Sequence, residues 1–126
     1  MRLRQILQGL DQQDQSDHGG WTPAVDIYET DTEVVLVVEA AGVSVDNFKV
    51  IVDGEVVRVY GTRQATCSEP GAKFHRMEIH SGAFVRSFRI KVPFLADGVR
   101  AKADDGILRV RLPKAPLCHK VIVDMA

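Results

Sequence analysis

The sequence predicts an all-β fold, an antiparallel sandwich of two sheets, for the central part of the chain. Residues 21–114 contain about seven or eight short runs rich in β-branched residues, separated by turn signals such as Asp-Gly and Pro-Gly. Helical periodicity is nearly absent from this stretch, so there are no crossover helices to connect parallel strands. We therefore predict three parts: an N-terminal leader over 1–20, the sandwich over 21–114 and a C-terminal tail over 115–126.

Apolar patterning predicts the first strands in order. Residues 25–28 alternate apolar and polar side chains, which indicates a strand with one buried face. Residues 33–39, EVVLVVE, are almost continuously β-branched, which suits a strand buried on both faces. After a turn at 41–43, residues 48–53 alternate again and run into an Asp-Gly pair, a strong hairpin signal. The next strand contains Val57 and Val59 and ends at Gly61.

The later strands follow a long polar excursion. Residues 62–73 are polar and include Pro-Gly, and Phe74–Ile79 is predicted as a short strand on the same excursion. In the following strand, alternation places four residues on one face: Phe84, Arg86, Phe88 and Ile90. A further short strand begins near Val99, and the acidic turn at 104–106 leads into a last strand over 107–112 that ends at a proline.

The leader contains one periodic feature, an apolar face at helical spacing. Its residues are Leu3, Ile6, Leu7 and Leu10. A helix of about ten residues is marginal alone in water, so this face needs a partner. The partner is either the chain's own domain or another chain, a neighbouring copy or an unfolded protein, and the pattern favours neither.

Composition excludes several classes of protein. The chain of 126 residues has 16 Lys and Arg against 17 Asp and Glu, which argues against a protein held to nucleic acid by a basic surface. No apolar run approaches the roughly 20 residues that cross a bilayer, and the N-terminus lacks the apolar core of a secretory signal. We expect a cytoplasmic protein that binds neither nucleic acid nor membrane. Cys67 and Cys118 are expected to be unpaired thiols there, with an inter-subunit bridge under oxidation as the alternative.

Residues that could support catalysis or hold a cofactor do not converge. The four histidines are scattered and neither cysteine belongs to a Cys-x-x-Cys pair, so no metal site is predicted. Ser16, Asp17 and His18 are consecutive, and neighbours in a polar segment cannot take the separate positions of a nucleophilic triad. Phosphate-binding and dinucleotide-binding glycine motifs are missing. We predict a protein without enzymatic activity, catalytic residues or cofactors.

Two features indicate association with other chains. Arg86 lies among apolar residues, so its guanidinium either reaches solvent at a sheet edge or pairs with a carboxylate across an interface, with Asp104 and Asp105 as candidate partners. In an extended tail, Val121 and Val123 project to the same side. That pair suits insertion at an exposed sheet edge of another chain; the alternative is a final strand on its own domain.

Four stretches of the chain carry a resemblance to a known family. They are WTPAVDIYE at 21–29, GAFVRSF at 82–88, AKADDGIL at 101–108 followed by Leu-Pro-Lys at 112–114, and Val-Ile-Val at 121–123. In this order and spacing they resemble the small heat-shock proteins of the bacterial type, whose α-crystallin domain is an immunoglobulin-like antiparallel β-sandwich.

The resemblance implies an ATP-independent chaperone of the stress response, a holdase that keeps partly unfolded proteins from aggregating. It also implies a homodimer that assembles into a higher oligomer. The dimer interface would include Arg86 and a segment that crosses to the partner's sheet, with Phe74, His75, Met77 and Ile79. The tail anchor Val121 and Val123 would occupy a groove on another dimer lined by Val50, Val52 and Val99. The leader residues Leu3, Ile6, Leu7 and Leu10 would bind clients or support assembly.

A second hypothesis belongs to a different class. A co-chaperone adaptor of the p23-like kind has a related sandwich and normally predicts a monomer. It has no need for Arg86, the Asp-Gly-Ile-Leu turn at 105–108 or the paired tail valines.

Overall fold

The computed structural model describes residues 20–116 and confirms the all-β sandwich. It has seven strands: β1 Val25–Glu29, β2 Glu33–Glu39, β3 Phe48–Asp53, β4 Val56–Arg63, β5 Gly82–Arg89, β6 Arg100–Asp104 and β7 Ile107–Pro113. A four-stranded sheet has the order β1-β2-β7-β6 and a three-stranded sheet the order β3-β4-β5, with every pair antiparallel. Single 3₁₀ turns precede β3 and β6.

The core lies between the two sheets and follows the predicted alternation except on β1, which lies at the edge of its sheet and leaves Ile27 44% exposed. In the four-stranded sheet, β2 and β7 pair along their full length and direct every second side chain inward. The residues that they bury are Val34, Leu36, Val38, Leu108, Val110 and Leu112. Val35, on the opposite face of β2, is also fully buried, whereas Val37 beside it is half-buried. The prediction of a strand buried on both faces therefore holds for most of β2.

The three-stranded sheet contributes Val57, Val59 and Phe84 to the same core. Gly61 lies directly opposite Phe84 in the β4–β5 ladder, and a Cβ at this position would overlap the aromatic ring. A glycine is therefore required for this ring to enter the core. On the outer side of the sheet, Tyr60 and Val85 form a second, smaller buried cluster.

The predicted hairpin turns are present. Asp105 and Gly106 join β6 to β7 with φ values of 51° and 79°, a pair of left-handed residues that matches the right-handed twist of the flanking strands. Gly54, at φ 61°, begins the turn between β3 and β4.

The prediction of a short strand over Phe74–Ile79 is wrong for this protomer, because the segment forms no strand. Strand β4 is already paired on one side with β3 and on the other with β5, and the excursion that leaves β4 does not run along the open edge of either of those strands. Its backbone consequently lacks a ladder partner within residues 20–116.

Several predictions fall outside the described residues. These are the leader helix with Leu3, Ile6, Leu7 and Leu10, the tail anchor Val121 and Val123, and the second cysteine, Cys118. Over residues 20–116, no helix has the length and apolar character that crossing a membrane requires.

Candidate interaction surfaces

The connection between β4 and β5 is the most exposed apolar feature of the described chain. It covers residues 64–81, and Phe74, Met77 and Ile79 are 49%, 68% and 62% exposed. His75, between them, is exposed as well. Large apolar side chains grouped on one loop are typical of a surface that another chain covers. Four of the predicted interface residues thus lie together on this loop, and we name it the β4–β5 loop.

The base of the β4–β5 loop is held by Arg63, the last residue of β4. Its Nε donates to the His80 carbonyl oxygen at 2.8 Å and its Nη1 to the Ala41 carbonyl oxygen at 3.2 Å. The guanidinium carbon lies 3.8 Å from the centroid of the Trp21 ring, a cation–π contact. Trp21 in turn donates from Nε1 to the Gly82 carbonyl oxygen at 3.1 Å.

Sequence reasoning did not identify this contact. Trp21 also packs edge-to-face on Phe84, with ring centroids 5.2 Å apart. Arg63 falls at the end of a strand, where a charged residue is unremarkable. An arginine, a tryptophan and a loop base distant in sequence meet only when both sheets are assembled, so no local pattern indicates the contact.

Arg86 lies on β5, an edge strand, and shares its inward face with Phe84 and Phe88 as predicted. Its half-buried guanidinium donates from Nη1 to the Pro23 carbonyl oxygen at 2.7 Å and lies 5.1 Å from the Phe88 ring centroid. No carboxylate pairs with Arg86 among residues 20–116, so Asp104 and Asp105 are not its partners within one protomer. The backbone carbonyl is a partner that the sequence did not indicate.

The three residues predicted to line a groove occupy edge positions of different sheets. Val50 and Val52 are on β3, at one edge of the three-stranded sheet, and Val99 immediately precedes β6, at one edge of the four-stranded sheet. All three are half-buried and pack against the main core. The sandwich thus leaves apolar surface accessible next to two unpaired strand edges, where an added segment could find main-chain partners.

Within residues 20–116 there is no group of three or more His, Cys, Asp or Glu side chains that could hold a metal ion. Cys67 is a free, half-buried thiol in the β4–β5 loop. These surfaces present exposed apolar side chains, open strand edges and charged side chains.

Comparison with known proteins agrees with this description. Residues 26–122 match the model of the Hsp20/alpha crystallin family. The chain is 39% identical over 92 residues to the 16.9 kDa class I heat shock protein 1 of Triticum aestivum, covering 72% of this chain and 61% of that protein. It is 30% identical over 93 residues to small heat shock protein C4 of Rickettsia felis, covering 74% and 57%. The match thus spans little more than half the length of these curated relatives.

Solved structures with the same fold include bacterial small heat-shock proteins. One from Xylella fastidiosa, described as having a distinct high order structure, superimposes with a TM-score of 0.73 at 27% identity, covering 84% of this chain and 97% of that chain. The hspA of Xanthomonas axonopodis gives a TM-score of 0.70 at 32% identity, covering 76% and 96%. With the family model matched over most of its length, this chain belongs to the Hsp20/alpha crystallin family.

Proposed function

We propose that this protein is an ATP-independent holdase, which binds partly unfolded proteins and keeps them from aggregating during stress. Membership of the Hsp20/alpha crystallin family supports a chaperone role in the stress response. The observation that carries the more specific proposal is the β4–β5 loop, whose exposed Phe74, Met77 and Ile79 give a well-packed sandwich the apolar surface for reversible assembly with a second copy, while the leader would be left for clients. Apolar surface held in water by a stable domain is suited to reversible binding of other chains.

The dimer is the first level of the proposed assembly. In it, the segment with Phe74, His75, Met77 and Ile79 crosses to the partner's sheet. Two observations support this arrangement: the segment has no strand partner in its own protomer, and both sheets have open edges. Arg86 would complete the interface, since one hydrogen bond to Pro23 leaves most of its five N–H donors available to a partner's carboxylate.

The tail supplies the second level. Val121 and Val123 of one dimer would occupy the groove lined by Val50, Val52 and Val99 on another. The half-buried state of all three groove residues supports this proposal, because an inserted apolar pair would cover what the sandwich leaves partly open. The leader residues Leu3, Ile6, Leu7 and Leu10 would add apolar surface for clients or for assembly. No cofactor takes part, and the proposed site of action is the cytoplasm.

Light scattering from a thermally unfolding model protein tests the function. The full chain is added at equal mass without ATP, and an equal mass of an inert globular protein serves as the control. We expect suppressed scattering, and we expect less suppression when Phe74, Met77 and Ile79 are replaced together by serine. Unsuppressed scattering from well-folded protein would contradict the holdase proposal and would favour the p23-like adaptor, for which a chaperone partner should then be sought.

A further inference from the structure

The outer face of the four-stranded sheet separates its charges into two halves. The basic half consists of Arg100 and Lys102 on β6 with Arg109 and Arg111 on β7. The acidic half consists of Asp26 on β1, Glu39 on β2, Asp104 at the end of β6 and Asp105 in the β6–β7 turn, and the remaining acidic residue of the face, Glu33 on β2, pairs with Arg111. All the strand residues among them alternate with core residues and therefore point away from the core.

Within the basic half, like charges face each other across the ladder. Arg100 is directly opposite Arg111, and Lys102 is directly opposite Arg109. Like charges in directly opposite positions destabilise a sheet, so the protomer alone does not explain this arrangement. The four side chains line a shallow depression of about 370 Å³. Arg111 donates from Nη1 to Glu33 Oε1 at 2.5 Å, but the other three form no ion pair within residues 20–116.

The acidic half also lines a depression. Asp26, Glu39 and Asp105 surround a depression of about 300 Å³ and form no ion pair within the described part of the chain. Asp26 and Arg109 are both opposite Val37, on β1 and β7 respectively. At a strand spacing of about 4.8 Å their backbones are thus roughly 9.5 Å apart. The two halves are neighbours on one face that do not neutralise each other.

We propose that this face binds the same face of a second copy of the chain, related to it by a two-fold axis. In a two-fold interface, residue i of one copy meets residue j of the other and j meets i. A 180° rotation about an axis that lies in the interface, along the boundary between the basic and acidic halves, places each half over its complement. Val37 and Ile107, half-buried between the halves, would form the apolar centre of the contact.

Two further observations favour a second copy over an acidic partner of another kind. The acidic half supplies the complementary charge on the same surface, and a formal net charge of −1 means that copies do not strongly repel each other. The proposed dimer and tail contacts use a loop and strand edges, so they leave this face uncovered. The new contact adds to the proposed assembly and requires neither of them.

Sedimentation equilibrium of the full chain without client tests the proposal. The variant Lys102→Glu reverses one charge of the basic half, and Lys49→Glu is the matched control. Lys49 is exposed on β3, one edge strand of the other sheet, and alternation directs its side chain away from the face that carries Val50 and Val52. We expect Lys102→Glu to weaken association at least about tenfold, since the two-fold axis repeats the repulsion in both contacts, and Lys49→Glu to have no effect. Wild-type association should weaken between 0.1 M and 1 M salt, as the screening length falls from about 10 Å to about 3 Å.

A mixing experiment separates the contact from a folding defect. Glu39→Lys alone should weaken association in the same way, and an equimolar mixture of Glu39→Lys and Lys102→Glu should restore it, because each intact half meets its complement. Thermal melts by circular dichroism should superimpose for all variants.

Equal association of Lys102→Glu and Lys49→Glu, or association insensitive to salt, would overturn the proposal. So would binding of poly-L-glutamate that is lost in Lys102→Glu while self-association is unchanged, because the basic half would then be a site for acidic chains. Since no client is present, the outcome does not depend on the scattering assay.

Discussion

Arg86 presents five N–H donors, and one hydrogen bond within residues 20–116 engages this group, from Nη1 to the Pro23 carbonyl oxygen. The guanidinium is half-buried beside the Phe88 ring, on an edge strand of the three-stranded sheet. A partly buried cation whose other donors lacked partners would be costly, so an interface that supplies a carboxylate would stabilise it. Arg86 can therefore bind the Pro23 carbonyl within its protomer and a carboxylate of a second protomer at the same time. Loss of the first contact would lower the melting temperature, and loss of the second would weaken the dimer.

The variant Arg86→Met keeps the apolar stem and removes every donor. We expect the dimer to dissociate about ten to one hundred times more readily, since a charge-assisted hydrogen bond contributes about 1.5–3 kcal/mol. Arg89→Met is the matched control, because Arg89 lies on the same strand and pairs with Glu55 inside its own chain at 3.1 Å. Dilution followed by native mass spectrometry measures both. An Arg86→Met dimer of wild-type affinity, with a melting temperature lowered equally at all protein concentrations, would restrict Arg86 to the bond with Pro23.

At the scale of the elements, the position of the β4–β5 loop depends on the contacts that hold its two ends. In the ladder Arg63 is opposite Gly82, and the Arg63 side chain bonds to the His80 and Ala41 carbonyl oxygens while stacking on Trp21. The contact joins three separate segments: the entry to β1, the turn after β2 and the end of the loop. We infer that Arg63 is a positioning residue for the loop that carries the exposed apolar side chains.

Replacing Arg63 by methionine should release the loop base. We expect a loss of about 1–2 kcal/mol in the free energy of unfolding, from the stacking contact and the hydrogen bonds together. Because Trp21 is the only tryptophan of the chain, its fluorescence emission should move to longer wavelength. Trypsin should cleave faster after Lys73 and Arg76 within the loop. Arg63→Lys keeps the charge without the planar fork and should be intermediate. If the methionine variant has wild-type emission and cleavage rates, Arg63 does not position the loop.

The elements that sequence could predict are those whose partners lie in the same chain and whose pattern is local. Strand β2 and the Asp105-Gly106 turn follow from β-branched content and from left-handed backbone preferences, and both are present. Phe74–Ile79 has strand-like composition without a strand, because composition does not decide whether a segment runs along one of the open strand edges, and in this protomer this segment does not. The bond between Arg86 and Pro23 joins residues 63 positions apart, so no periodicity could indicate it.

The same limit applies to the candidate site. Sequence could group Phe74, Met77 and Ile79 as an apolar segment, and their exposure follows from the missing strand partner. Periodicity alone could not place Val50 and Val99 against one core, because that requires knowing that β3 and β6 are edge strands of different sheets, and only the family resemblance put the two residues in one groove. Patterns of period two identify which face of a strand is buried, but sheet order decides which edges remain open.

At the scale of the whole molecule, the sandwich has two sheets and therefore four strand edges, formed by β1, β6, β3 and β5. An assembly can use these edges without altering the core, which lies between the sheets. Several weak contacts on separate surfaces, each reversible, give a high combined affinity once copies are linked. The proposed tail contact can be removed without touching the sandwich, because Val121 and Val123 lie beyond residues 21–114.

Replacing Val121 and Val123 together by alanine should reduce the assembly to dimers. Each substitution removes two buried carbon groups, so the pair should weaken each tail contact by about 3 kcal/mol. Ile122→Ala is the matched control, because an extended segment directs Ile122 to the side opposite the two valines. Native mass spectrometry of the three proteins at one concentration measures the change. A double variant with the wild-type mass, or an Ile122→Ala variant that dissociates equally, would show that the valine pair does not anchor the tail. In either case the assembly would have to depend on the β4–β5 loop, the leader or the charged outer face.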